Sequence, residues 1–135
     1  MQIEEISDYK KGRRKVLLDD GTTWILYIGE ICSCQLKVGK EISEDLRHTI
    51  QIDIIQKRAI KRAMHLLERM DMTEKKLRDK LLLSEYPADA IDEAVAYVKK
   101  FHYLDDSRYA RNYVQCYQNL RSQKRIAMDL RAKGV

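Results

Sequence analysis

The sequence predicts a mainly α-helical protein with a small β-rich region at its N-terminus. Four of its five glycines lie in the first forty residues and the fifth is Gly134, so positions 40–133 can form helices almost without interruption. Two stretches that begin at Thr73 and Ser122 also match at an offset of 49. In each, a helix-capping residue precedes apolar positions four apart, which indicates tandem helical repeats. Helical proteins reuse this spacing, so two short copies can also match by chance.

The N-terminal region, over 1–56, contains a predicted β-hairpin and a helical linker. Arg14–Leu18 and Thr23–Ile28 are rich in β-branched and apolar residues. They flank the sequence Asp19-Asp20-Gly21-Thr22, in which Asp-Gly is typical of a tight hairpin turn. We therefore expect these two segments to pair as antiparallel strands.

A helix is predicted to begin near Ser43 in the linker. Two acidic residues follow Ser43 directly and would lie at the positive end of that helix. The alternation of Ile50, Ile52 and Ile54 would also fit a strand. We interpret the segment as helix.

Three amphipathic helices are predicted next, and together they form one repeat over 57–104. The first ends near Met70, Thr73 caps the second, and Pro87 fits the first turn of the third. The apolar positions at helical spacing are Ile60, Ala63, Met64 and Leu67, then Leu77 and Leu81, then Ile91, Ala94, Val95 and Val98.

Two further helices over 105–135 are predicted to form a partial second repeat. Asp105 or Ser107 can cap the first of them, whose stripe consists of tyrosines. Ser122 begins the second, which runs to Lys133, and Gly134 fits its left-handed termination. The tyrosines of the stripe are Tyr109, Tyr113 and Tyr117.

No third helix completes this second repeat in the sequence. We therefore expect the stripe of Ile126 and Leu130 to lack a cover, which is unfavourable because burying one such side chain contributes roughly 1.5–3 kcal/mol. The two helices are expected either to be mobile or to cover themselves against another copy, as a homodimer.

Composition limits the class of protein. The chain has 135 residues, of which 44% are hydrophobic and 35% charged, as expected for one soluble domain or two small ones. No apolar run approaches the roughly 18 residues of a membrane span, and the acidic Glu4 and Glu5 do not fit a secretory signal, so we expect a cytoplasmic protein. The cysteines Cys32, Cys34 and Cys116 are expected to be reduced thiols, and no metal site is expected.

The positive charge is concentrated at the C-terminal end. Residues 1–50 carry 8 basic and 9 acidic residues, 51–107 carry 11 of each, and 108–135 carry 7 basic and 1 acidic, which accounts for the net charge of +5. A surface with this concentration of positive charge attracts phosphate backbones or an acidic protein face. The charge can also serve only to keep the protein soluble. The candidate binding residues are Arg108, Arg111, Arg121, Lys124, Arg125, Arg131 and Lys133.

Catalytic motifs are not found. The sequence has no Gly-rich phosphate loop, no Ser or Cys with an evident His partner, and no His pair at metal-binding spacing. Asp105 and Asp106 fit a helix cap better than a metal site. The tyrosine stripe could stack on single-stranded bases, but helical spacing favours a core or groove lining. We expect a binding protein without catalytic residues or cofactor.

The helical region resembles the bacterial RecX family over 59–135, and the hairpin with Leu36–Gly39 resembles it more loosely. The most specific segment is Tyr-Leu-Asp-Asp-x-Arg-Tyr-Ala at 103–110, in order with the flanking helical units. The other matching segments are Ala63–Arg69, Thr73–Leu81, Arg125, Ile126, Leu130 and Lys133–Val135.

The resemblance implies tandem three-helix repeats and a regulator that binds the filament of the RecA recombinase. Such a regulator would inhibit or modulate the recombination, ATPase and co-protease activities of RecA in DNA repair and the SOS response. It implies neither catalytic residues nor a cofactor. DNA contact would be weak and independent of sequence, through the basic residues at 108–135.

Two departures from the family pattern matter. Members usually have a glycine just before the Arg-Ile motif, where this chain has Ser122-Gln123-Lys124, which predicts a capped helix start. Members also typically have three repeats, so this chain is expected to be truncated in its second repeat and to reach less far along a filament groove.

Two other classes of function stay open at this point. A free-standing helical DNA-binding protein would use the same basic face without a protein partner. A scaffold or adaptor would need the C-terminal cluster of positive charge to be idle.

Overall fold

The computed structural model describes all 135 residues and shows three N-terminal strands followed by helices. The strands are β1 (Ile3–Asp8), β2 (Arg13–Leu18) and β3 (Thr23–Tyr27). The helices are α1 (Ile28–Ser33), α2 (Glu44–Thr49), a π-helical segment (Ile50–Gln56), α3 (Lys57–Arg69), α4 (Glu74–Leu83), α5 (Ala88–Lys100), α6 (Asp106–Tyr117) and α7 (Gln123–Ala132). The predicted fold class is confirmed.

The sheet has the order β1-β2-β3 and is antiparallel throughout. The predicted hairpin is confirmed as β2 and β3, whose register places Val16 opposite Trp24. Its turn uses Gly21 at a φ of +88°, where glycine avoids the steric cost of a side chain. Both Val16 and Trp24 are fully buried, so one face of the sheet belongs to the core.

Strand β1 was not predicted, because its two isoleucines do not alternate. The register with β2 shifts between Ile3 and Glu5, which marks a β-bulge. The bulge absorbs one residue, so Ile3 and Ile6 can both lie toward the core although they are three positions apart. A strict period of two therefore misses this strand.

The helix predicted near Ser43 is confirmed, and it runs into the predicted first helix of the repeat without a break. The Ser43 side chain accepts a hydrogen bond from Leu46 N at 3.1 Å. The wider π-helical turns between α2 and α3 bury Ile50 and Ile55, five positions apart, and leave Ile52 exposed. The strand-like alternation of isoleucines is therefore not a strand, and position 57 lies inside a helix that begins at Glu44.

Helices α3, α4 and α5 form a three-helix unit. The Thr73 hydroxyl caps α4 as predicted, 3.3 Å from Lys76 N. Pro87 is the N-cap of α5 and not part of its first turn, because its ψ of 153° is extended. One cluster of 20 buried residues runs from Ile3 of the sheet to Leu104, so the sheet and the three-helix unit share a core.

Helices α6 and α7 are capped as predicted, by Asp105 and by Ser122. Gly134 ends α7 at a φ of +93°, and Val135 N donates to Leu130 O at 2.9 Å, which completes a Schellman motif. The expectation of an uncovered stripe was wrong for Ile126, which is only 5% exposed. Helix α7 packs against α6 and buries that side chain within the chain.

The two helical units are also joined by hydrogen bonds. Thr73 Oγ1 donates to Lys133 O at 2.6 Å, which ties the end of α7 to the start of α4. Glu74 N donates to Asp106 Oδ1 at 2.9 Å, which ties α4 to the start of α6. The beginning of α4 is thus the point at which the second unit is held against the first.

Candidate nucleic-acid and partner-binding surface

The seven predicted binding residues do not form one uniform face. Arg108 and Arg121 are engaged in contacts that hold the fold together, and the other five are exposed. The exposed residues are Arg111, Lys124, Arg125, Arg131 and Lys133.

Arg121 is the centre of a network between α6 and α7. Its Nη1 donates to Tyr113 Oη and to Asp129 Oδ2, each at 2.7 Å. Its guanidinium lies 4.1 Å from the centre of the Tyr117 ring, within range of a cation–π contact. Burial, together with the hydrogen bond to Asp129, raises the pKa of Tyr113. Arg121 therefore positions the two helices and is not a free cation.

Arg108 supports the turn that leads from α5 into α6. Its Nη1 and Nη2 donate to His102 O at 2.9 Å and to Tyr103 O at 3.2 Å. These carbonyls follow the end of α5, where His102 has a φ of +62°. The side chain thus stabilises a left-handed helix end, and its charge is largely directed at the backbone.

The remaining cations of this region have weak or no acidic partners. The Arg125 Nε lies 3.9 Å from Asp129 Oδ2, and Arg125 is 65% exposed at its side chain. No carboxylate lies within 4.0 Å of Arg111, Lys124 or Arg131. These charges are available to a phosphate backbone or an acidic protein surface.

The tyrosine stripe lines the junction of α6 and α7. The rings of Tyr113 and Tyr117 lie 4.6 Å apart and tilted, while those of Tyr109 and Tyr113 are stacked at 6.3 Å. All three side chains are half-buried. Tyr113 and Tyr117 thus pack at this junction, where they contact Asp129 and Arg121, and Tyr109 lines a depression beside α4.

A second group of cations was missed, because it is assembled from segments that are each close to neutral. Four residues follow one another at i, i+3, i+4 and i+7 on one face of α3, namely Arg58, Lys61, Arg62 and His65. Lys10 before β2 and Arg13 at the start of β2 add two more cations. Together they line a cleft of about 470 Å³ between the sheet and the helices. The helical spacing of the four residues on α3 was the feature of the sequence from which this second group could have been predicted.

Three further observations bear on the chemistry of the surface. All three cysteines are unpaired. The His, Cys, Asp and Glu side chains nowhere gather in a group of three or more that could hold a metal ion. None of the helices has both the length and the apolar character needed to cross a membrane.

Comparison with known families gives a match over the first helical unit. The family model described as RecX, first three-helix domain, matches residues 59–97, which comprise most of α3, all of α4 and most of α5. The matched segment lies within the range predicted for the first repeat, 57–104.

Curated relatives match along most of the chain. The regulatory protein RecX of Clostridium beijerinckii is 28% identical over 97% of this chain and 62% of its own length. That of Caldanaerobacter subterraneus subsp. tengcongensis is 37% identical over 74% of this chain and 51% of its own length. That of Clostridium botulinum is 32% identical, with coverage of 97% and 62%. The chain thus spans about half to two thirds of the length of these relatives.

Solved structures agree with the fold. A crystal structure of regulatory protein RecX superposes with a TM-score of 0.62 and 25% identity, over 99% of this chain and 68% of that one. RecX from Lactobacillus salivarius gives a TM-score of 0.57 and 26% identity, over 59% and 53%. With the matched three-helix domain and the curated relatives, these superpositions lead to one conclusion: the chain is similar to RecX regulatory proteins along most of its length and shares their fold.

Proposed function

We propose that this chain binds the filament of the RecA recombinase and inhibits or modulates its recombination, ATPase and co-protease activities. The observation that carries the proposal is the RecX-type three-helix domain at 59–97, followed by a second unit with exposed basic side chains. The setting would be DNA repair and the SOS response in the cytoplasm. The protein would act by binding, without catalytic residues or a cofactor.

The architecture supports a mechanism based on occupation of the filament groove. No residue of α6 or α7 belongs to the main hydrophobic cluster, which ends at Leu104, so the second unit extends from the core as a separate basic layer. Such a layer can contact acidic protein and the DNA backbone together. Occupation of the groove would oppose the subunit contacts or motions that the filament needs.

A co-sedimentation experiment tests the proposal. The chain is titrated against recombinase assembled on single-stranded DNA and against the same DNA without recombinase, at several salt concentrations. We expect the chain to bind the filament at concentrations well below those that coat bare DNA, since protein contacts add to the phosphate contacts. Equal binding to both at every salt concentration would contradict the proposal.

The exposed cations favour a second candidate, a free-standing DNA-binding protein. Lys124 and Arg131 lie on α7 without acidic partners, which is a suitable arrangement for phosphate contacts alone. Under this candidate, effects on the recombinase would follow DNA occupancy. The co-sedimentation experiment separates the two.

A further inference from the structure

The cleft between the sheet and the helices is strongly basic. Lys10 enters it from the β1–β2 connection, Arg13 from the start of β2, and Arg58, Lys61 and Arg62 from α3. Lys61 and Arg62 are exposed, and Lys10, Arg13, Lys61 and Arg62 have no carboxylate within 4.0 Å. Four cations that face one cleft without partners repel one another, so the site is suited to an anionic ligand.

The acidic residue that lines the cleft, Glu85, is already neutralised, because it pairs with Lys15 at 2.8 Å. Among the cleft cations, Arg58 pairs with Glu30, which lies outside the lining, at 2.6 Å. The Lys15 ammonium lowers the pKa of Glu85, so this carboxylate stays ionised and paired. The cations that remain in the cleft are therefore in clear excess.

The basic cleft continues across the molecule toward the C-terminal helix. A neighbouring depression shares Lys10, Arg13 and Arg62 with the cleft and adds Lys80. Lys80 and Leu83 then also line a third depression. That third depression contains Lys75, Lys76, Tyr109 and Lys133. The three depressions form one track from the sheet, over α4, to the end of α7.

Aromatic side chains accompany the cations along this track. Tyr27 is 47% exposed, and the Arg58 guanidinium lies 4.8 Å from the centre of its ring. Tyr9 lines the second depression and has the Arg13 guanidinium 5.4 Å from its ring centre. Tyr27 is exposed and Tyr9 is half-buried, and accessible rings beside cations are the combination that binds unpaired bases by stacking and their backbone by charge. An acidic peptide would use the charges but leave the rings without a stacking partner.

We propose that this basic track, from Lys10 and Arg13 through Arg62 and Lys80 to Lys133, binds a single strand of nucleic acid. Phosphates would lie against the unpaired cations, and Tyr27 would offer a face to a base. The inference goes beyond the proposed function, because it places the main nucleic-acid contact on the sheet and the first helical unit and requires no recombinase.

Fluorescence anisotropy with a labelled single strand of about 15 nucleotides, several times the smallest sites of such proteins, tests the inference. The test variant of the full chain is K10Q/K61Q/R62Q, which removes three exposed, unpaired cations of the track. We expect its dissociation constant to rise at least tenfold at low salt. Each lost phosphate contact should also lower the slope of log affinity against log salt by about 0.7, or by about 2 for the three.

The matched control is K11Q/K57Q/R69Q. It removes the same charge from exposed positions of the same connection and the same helix, but none of its residues lines the track. The control should retain most of the affinity and the parent's salt slope. Equal weakening by test and control would show that only net charge matters and would overturn the inference.

Two further measurements identify the ligand and the stacking contribution. Y27A should weaken binding severalfold without a change in the salt slope, because stacking does not release counterions. A poly-glutamate peptide and a free nucleoside triphosphate serve as competitors. If either displaces the labelled strand as effectively as the unlabelled strand does, the choice of a single strand as ligand would be overturned. All these assays use DNA without recombinase, so their failure leaves the proposed filament binding untouched.

Discussion

Thr73 combines two functions in one hydroxyl. It is 2% exposed, accepts from Lys76 N at 3.3 Å and donates to Lys133 O at 2.6 Å. The same group therefore caps α4 and holds the end of α7. A residue that the sequence identifies only as an N-cap is thus also the junction between the two helical units.

Removal of this hydroxyl should affect both units. We expect T73A to lose about 1 kcal/mol from the lost cap, and more because Lys133 O also loses its donor. Denaturant unfolding measures the loss, and hydrogen exchange should show faster exchange in α7. T73S keeps the hydroxyl and should remain close to the parent. If T73A unfolds like T73S, the hydroxyl does not join the units.

Arg121 and Arg125 should behave differently although both were predicted as binding residues. We expect R121Q to lower the melting temperature, since it breaks the contacts with Tyr113 and Asp129. R125Q should leave the melting temperature nearly unchanged, because that side chain is mostly exposed and its ion pair is long. The opposite order would mean that the Arg121 network does not support the fold.

Four of the helices are followed by a residue with a positive φ. Residues with positive φ follow the ends of α1, α4 and α5 in Schellman motifs, at Gln35, Glu85 and His102. Only α7 uses glycine at that position. The sequence pattern finds the glycine-terminated end, but it does not find the other three, because tertiary contacts hold residues that rarely adopt this conformation.

Relief of the strain at one of these ends should stabilise the protein. His102 is exposed and has a φ of +62°, so H102G should raise the free energy of unfolding by about 1 kcal/mol. H102A should give no such gain, because alanine keeps the steric conflict. Chemical denaturation of both variants measures the difference. A destabilised H102G would show that the side chain has a role that this geometry does not reveal.

Glu74 makes the contact between α4 and α5 dependent on pH. Hydrogen bonds from Lys99 first, and from Arg78, lower its pKa below the ordinary value of 4.5. Its contribution to stability is therefore present above pH 4.5 and is lost as the pH falls through the lowered pKa. We expect E74Q to be less stable than the parent at neutral pH. Its stability should also fall less than that of the parent as the pH is lowered.

The control for this pH dependence is Glu93, an exposed residue on α5 without an ion pair. E93Q should keep the acid dependence of the parent. Thermal unfolding followed between neutral pH and about pH 3 covers the range of ordinary carboxyl pKa values. An unchanged profile in E74Q would mean that this carboxylate does not couple the helices.

At the scale of the whole molecule, the docking of α7 depends on a close approach. A Cβ added at Gly134 would lie 2.6 Å from Lys75 Cβ, and the φ is +93°. Gly21 has a similar φ of +88° but open space around it. We expect G134A to speed hydrogen exchange across α7, while G21A should leave exchange there unchanged. Normal protection of α7 in G134A would contradict the docked arrangement.

An apolar groove still remains between α6 and α7. Val114, Ile126 and Leu130 line it, and Leu120 nearby is 77% exposed. A homodimer that covers this groove stays a proposal. Sedimentation equilibrium tests it: a concentration-dependent mass that V114E abolishes would support a dimer through this groove, and a monomer at all concentrations would contradict it.

Much of the fold follows from the sequence, and the rest depends on contacts between distant segments. Caps at Ser43, Thr73 and Ser122 are local, so pattern and propensity predict them. The bulged β1 and the burial of Ile126 depend on neighbours that are far away in sequence. For the same reason, charge counted by segment identifies the basic C-terminal region but not the basic track.

The central proposal is that this chain, which is similar to RecX regulatory proteins, regulates the RecA recombinase, and recombinase ATP hydrolysis on single-stranded DNA tests it most directly. The rate is measured with increasing amounts of the chain, at DNA concentrations high enough that the chain cannot coat the DNA. We expect hydrolysis to fall at substoichiometric ratios of chain to DNA-binding sites. Hydrolysis that stays unchanged until the DNA itself is saturated would contradict the claim.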